Sequence, residues 1–161
     1  MKKTMMVLIC LVFAAMGLCA SHNTGELFPA CYLVGGDVPG APLFTVNVLV
    51  NTPTRTMSGH GGVDWPIDPQ WDLKTDMKGG YVTVAMMKES HKVVATLTGY
   101  PVVVWPPSAG IAPVEPPNTH LLMVLASDWK TGTATFSFMD SAGKWHEIKD
   151  APVKMVECFS K

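Results

Sequence analysis

The 161-residue sequence predicts an all-β protein, an antiparallel β-sandwich or closed barrel of about 8–10 short strands with its terminal strands linked by a disulfide. Three observations carry that prediction. Apolar residues recur with a period of two, turn-forming clusters separate the runs, and no segment shows the apolar spacing of an amphipathic helix.

The clearest run is 43–50. Leu43, Thr45, Asn47 and Leu49 alternate with Phe44, Val46, Val48 and Val50, a β-branched pattern that suits a pleated strand. Further strand candidates are 30–34, 55–59, 81–87, 92–98, 102–105, 121–126, 133–139, 145–148 and 153–159. In 133–139, Ala134, Phe136 and Phe138 take one face and Thr133, Thr135 and Ser137 the other. Gly35-Gly36-Asp37, Lys88-Glu89-Ser90 and Asp140-Ser141-Ala142-Gly143 punctuate the runs as turns. Two stretches break the pattern. Residues 61–78 hold Pro66, Pro69, Trp65, Trp71 and several acids, and 106–118 hold five prolines, which exclude a helix or central strand. Both are expected to be long irregular loops, the kind that usually carries function or mobility.

The first twenty residues obey different rules. Lys2 and Lys3 precede an uncharged apolar run from Met5 to Ala20, and the polar Ser21-His22-Asn23-Thr24 follows. A basic start, a short apolar middle and a small-residue exit are the parts of a secretory signal peptide. The run is shorter than the ~20 residues of a membrane-spanning helix. The expected organisation is a signal peptide at 1–20 and a single β domain at 21–161, exported to the periplasm or the medium, with no transmembrane segment after signal removal. Lipidation at Cys19 is the alternative, and the bulky Leu18 before it counts against it.

Removing the leader leaves two of the four cysteines, Cys31 and Cys158, near opposite ends of the mature chain. In an oxidising compartment they read as one bridge between terminal strands, the alternative being two unpaired buried thiols. Of twelve basic residues Lys2 and Lys3 fall in the leader, so ten remain against thirteen acids, formally −3. Weak acidity gives no footprint for nucleic acid and no polybasic patch for an anionic membrane.

Motifs that could carry chemistry are sparse. Asp64, Asp68, Asp72 and Asp76 recur every fourth residue, but Pro66 and Pro69 undermine a helix there, and a calcium loop would also need a glycine and a terminal glutamate. A solvated acidic loop is the favoured reading. The five histidines are scattered singly and lack zinc spacing, so neither a metal nor a cofactor is expected. His60-Gly61-Gly62 matches half of a glycine-rich oxyanion element, yet the GxSxG elbow that must accompany it is missing. The tryptophans stand out. Trp65, Trp71 and Trp105 border the irregular loops and are the candidate binding residues, because an aromatic face offers large contact area at low entropy cost. Trp145, alternating within a strand candidate, reads as core.

Leu27-Phe28-Pro29 with Tyr32, Gly40-Ala41-Pro42, and Val50-Asn51-Thr52-Pro53-Thr54 resemble the opening of a small bacterial family of domains of unknown function. Asp128-Trp129-Lys130-Thr131-Gly132-Thr133-Ala134 and Trp145-His146-Glu147-Ile148 resemble its closing hairpins. The likeness spans 27–153 in short pieces. It implies a compact β domain from a bacterium and brings no activity. The signal peptide and the cysteines at 31 and 158 depart from the family pattern. Physically, Asn51-Thr52-Pro53-Thr54 is a turn, and Asp128–Gly132 is a hairpin connection with glycine expected at the left-handed position.

The functional expectation is a non-catalytic binding module that presents loops 61–78 and 106–118 to a protein or glycan. The rivals are a hydrolase-type enzyme using loop carboxylates with His60, and an envelope-associated structural subunit that assembles through an exposed strand edge.

Overall fold

The computed structural model describes residues 27–36, 38–66, 72–86, 91–103 and 115–158. The expected signal peptide, Cys19, Asp68, Trp71 and Trp105 lie outside the described residues. Eight antiparallel strands form a closed barrel in simple sequential order: β1 (Leu27–Gly35), β2 (Leu43–Asn51), β3 (Thr56–Asp64), β4 (Asp72–Ala85), β5 (His91–Pro101), β6 (Thr119–Ala126), β7 (Thr131–Met139) and β8 (Trp145–Val156). Closure comes from β1 pairing with β8 over Cys31↔Val156 to Val34↔Val153, and the Cys31–Cys158 disulfide staples that seam.

Alternation puts one residue in two into the barrel. Tyr32, Phe44, Phe136, Phe138, Met57, Met77, Met123 and Leu125 are fully buried, and Phe44 and Phe136 meet with ring centroids 5.4 Å apart. An eight-stranded barrel is about the size that side chains alone can fill. Each large side chain withdrawn from water stabilises the fold by roughly 1.5–3 kcal/mol. The outer wall carries the polar half of the alternation, with Asn47, His60, Lys74, Lys78 and Thr96 exposed. That is the inverse of a lipid-facing barrel wall. Among the described residues, no helix is long and apolar enough to cross a membrane.

The strands differ from the sequence expectation in four places. Residues 61–78 are mostly ordered sheet: Gly61–Asp64 complete β3 and Asp72–Lys78 begin β4. Pro66 lies in the connector and Pro69 outside the described residues, while Leu73, Thr75 and Met77 point inward between exposed or half-exposed Asp72, Lys74, Asp76 and Lys78. The candidates 145–148 and 153–159 are one strand, interrupted by a bulge. Ala134 pairs with Ala151 and Phe136 with Ile148, so β8 carries one extra residue there, and Asp150 takes φ 55°. The bulge changes the inward set from His146 and Ile148 to Ala151 and Val153, which is why the two halves read out of phase. Val102 and Val103 follow β5 without joining any strand. In the β6–β7 turn the left-handed residue is Trp129, at φ 65°, not Gly132. Trp129 is held there by edge contacts with Phe28 and Tyr81, at 5.6 and 4.8 Å between centroids. Gly132 lies within β7, where a Cβ would collide with the Val124 carbonyl across the sheet. The β2–β3 turn follows expectation, with the Thr54 N–H donating to Asn51 Oδ1 at 3.3 Å.

Strand order also sorts the connections. Because neighbours are antiparallel, β1–β2, β3–β4, β5–β6 and β7–β8 are joined at one end of the barrel, and the short β2–β3 and β6–β7 turns lie at the other. At that second end β4 outruns β3. Gly80 pairs with Thr56, whereas Tyr81 to Ala85 pair only with β5.

Candidate functional site

The end bearing the long connectors has a firm floor. Asn118, the last residue before β6, is buried and tied on several sides. Its N–H donates to the Gly99 carbonyl, its carbonyl accepts from Met139 N–H, and its Oδ1 accepts from the hydroxyls of Thr75 at 2.8 Å and Thr119 at 3.2 Å. Gly99 makes room for this cluster, since a Cβ there would press on Thr75 Oγ1, on Met77 Sδ at 2.8 Å and on Thr119 Cβ at 3.0 Å. The proline-rich connector is thereby fixed where it re-enters the sheet.

Trp65 closes the same end from the β3 side. It is partly buried, with its ring 5.6 Å from Phe138 and 4.7 Å from His146. His146 Nε2 lies 2.7 Å from Asp140 Oδ2, and Asp140 Oδ1 accepts from Ala142 N–H and Lys144 N–H. The bond from His146, followed by those from Lys144 and Ala142, holds the Asp140 carboxyl below its ordinary value. Exposed apolar side chains gather at this end as well: Val38, Tyr100, Val102 and Val103.

The wall beside it holds two shallow grooves. One, of about 400 Å³, is bordered by Thr45, Asn47, His60, Asp72, Lys74 and Val102. His60 Nδ1 sits 2.7 Å from Asp76 Oδ1, so the structure does bring His60 to one of the acids. Asp64 and Asp72 face each other across β3 and β4, and Asp72 pairs with Lys74 at 2.9 Å. These acids stand on strands, not on an acidic loop. The His60 and Asp76 side chains are 78% and 44% exposed, and water screens such a pair. Among the described residues, no three His, Cys, Asp or Glu side chains gather as a metal site.

The second groove, of about 300 Å³, crosses the outer faces of β5 to β8. At its edge Trp145 stacks on His120, with centroids 5.2 Å apart and planes 16° apart. Trp145 is 42% exposed, which corrects its assignment to the core. His146 and Ile148 are the inward residues of that stretch, and Trp145 shares the outward face with Glu147. The charged residue two positions on was the available signal.

One polar atom stays buried inside the barrel. Tyr32 Oη has no hydrogen-bond partner among the described residues, and burial pushes its pKa up.

No curated protein matches this chain. Over residues 25–145 it matches the family model described as Domain of unknown function (DUF1842), which takes in β1 to β7 and the first residue of β8, and the chain belongs to that family.

Proposed function

We propose that the chain is a non-catalytic binding module of bacterial origin, exported to the periplasm or the medium, that offers the long-connector end of its barrel to a protein or glycan partner. One observation carries this reading: the β3–β4 and β5–β6 connections emerge at the same end, beside exposed Tyr100, Val102 and Val103. A rigid barrel that presents clustered loops and apolar side chains is the usual build of a binding scaffold. Trp65 anchors the surface from below, and Trp71 and Trp105 are proposed as its contacts. The test replaces each tryptophan with alanine and measures folding stability and capture of a partner from the source organism's envelope or medium separately. Trp65→Ala should lower stability, while Trp71→Ala and Trp105→Ala should lose the partner at unchanged stability. If all three lose only stability and the folded fraction still captures the partner, the reading fails.

The structural-subunit reading gains one observation, the β4 edge beyond Gly80. Tyr81 N–H reaches the Arg55 carbonyl at 3.0 Å, so the backbone groups of Thr83 and Ala85 that share its direction meet no further strand among the described residues. The segment Tyr81–Ala85 holds no charge or proline to block added pairing. Sedimentation that stays monomeric at high concentration would remove self-assembly through this edge. The hydrolase reading rests on the His60–Asp76 pair, and His60→Ala leaving a detected hydrolytic activity intact would end it.

A further inference from the structure

We infer that the outer groove across β5 to β8 is a carbohydrate site, fitted to a neutral, linear β-linked oligosaccharide. It is a separate surface from the long-connector end and does not depend on that reading.

The register carries the argument. Thr98 pairs with His120, His120 with Ser137, and Ser137 with Glu147, so four neighbouring strands each place one polar side chain in a single row on the outer wall. Adjacent strands are spaced about 4.8 Å apart, close to the length of one pyranose unit in an extended β-linked chain. A sugar chain laid across the strands therefore meets a fresh hydrogen-bonding group at each unit, and the row accommodates roughly three or four units. Thr98 and Ser137 both donate and accept, as sugar hydroxyls require, and the Glu147 carboxylate accepts strongly.

The second half of the recognition is aromatic. Trp145 reaches across β7 to stack on His120 and still keeps 42% of its surface in water. A large exposed aromatic beside a hydroxyl-lined depression matches the two-sided chemistry of a pyranose, whose C–H face is apolar and whose rim is polar. Charge narrows the class. Among the described residues Glu147 is the one acid lining the groove, and its carboxylate is partnered by Lys149 at 3.2 Å, so no strong field of either sign selects an ion. Phosphorylated or polyanionic ligands find no cationic cradle in this row. A flat, gluco-configured, β1,4-linked chain presents its C–H faces best to such a wall.

The test titrates the whole mature chain, uniformly labelled with nitrogen-15, with cellotetraose and separately with chitotetraose. At least one should shift amides concentrated at 96–98, 120–122, 135–137 and 145–147. Trp145→Ala and His120→Ala should each weaken that binding about tenfold or more. Glu147→Gln, which keeps size and fold, should weaken it by a smaller factor. Val102→Glu, at the long-connector end, should leave sugar affinity unchanged, so failure of this site and failure of the loop-end reading can be told apart. No shift with either sugar, shifts centred elsewhere, or full affinity in folded Trp145→Ala would each overturn the assignment.

Discussion

Replacing Cys31 and Cys158 together with alanine removes the staple of the β1–β8 seam while sparing every ladder bond. The bridge spans a sequence separation of 127 residues. Tying such a span reduces the entropy of the unfolded chain by an amount worth about 5 kcal/mol, and native bridges in small secreted domains typically contribute about 2–5 kcal/mol. The seam has reason to need it. β1 and β8 share four pairs in register, against nine between β1 and β2. For a domain of this size each kcal/mol moves the melting temperature by about 3–5 °C, so the double variant should melt roughly 10–20 °C lower. Alanine at position 31 adds no buried hydroxyl where Cys31 is 3% exposed. The assay is calorimetry of the oxidised wild type, the reduced wild type and the double variant, with free thiols counted by non-reducing mass spectrometry. A loss below about 1 kcal/mol would refute the view that the seam depends on its bridge, and two free thiols in protein isolated under oxidising conditions would refute the bridge itself.

Phe136→Ala, emptying a ring that touches both Phe44 and Phe138, should cost about 3–5 kcal/mol by chemical denaturation. Gly99→Ala should destabilise by at least about 1–3 kcal/mol, because the added methyl presses on the Thr75–Asn118 cluster from inside a packed wall; a melting curve matching wild type would contradict the packing described. Asp140 has its pKa depressed in the fold, so its contribution is present above the ordinary carboxylate value and is lost as pH falls through the depressed one. Asp140→Asn should therefore flatten the acid limb of a stability–pH profile and leave its neutral region offset. Trp65→Ala should lower the melting temperature clearly more than Trp145→Ala, since Trp65 packs on Phe138 whereas Trp145 lies on the outer wall.

The strands were legible wherever alternation stood clear of competing signals. In β2 and β7 one face is wholly apolar, and the structure buries the face the sequence indicates. The start of β4 was missed for a physical reason. Leu73, Thr75 and Met77 alternate with charged residues, but two nearby prolines and four evenly spaced aspartates suggested an irregular acidic stretch. In β8 a bulged residue broke the period, and periodicity alone cannot show where a chain skips a phase. The disulfide was readable because only two of the four cysteines, Cys31 and Cys158, lie beyond the stretch that reads as a leader. The wall groove was not, since it consists of outward residues from four strands whose adjacency exists only once the register is set.

Sequential strand order also has a kinetic consequence. Seven of the eight pairings join consecutive strands and can form locally, hairpin by hairpin. The eighth joins the first strand to the last, so it cannot begin until the whole chain is available. Local hairpins should form quickly, and joining of the two ends should be the slow, non-local event, since entropy must be lost before the long-range contacts compensate it. Until then β1 and β8 each carry a bare rim able to take up a strand from another molecule. A chain truncated before β8 would hold that vulnerable form indefinitely, and once Cys158 meets Cys31 the covalent link leaves the two ends together through any later opening of the seam.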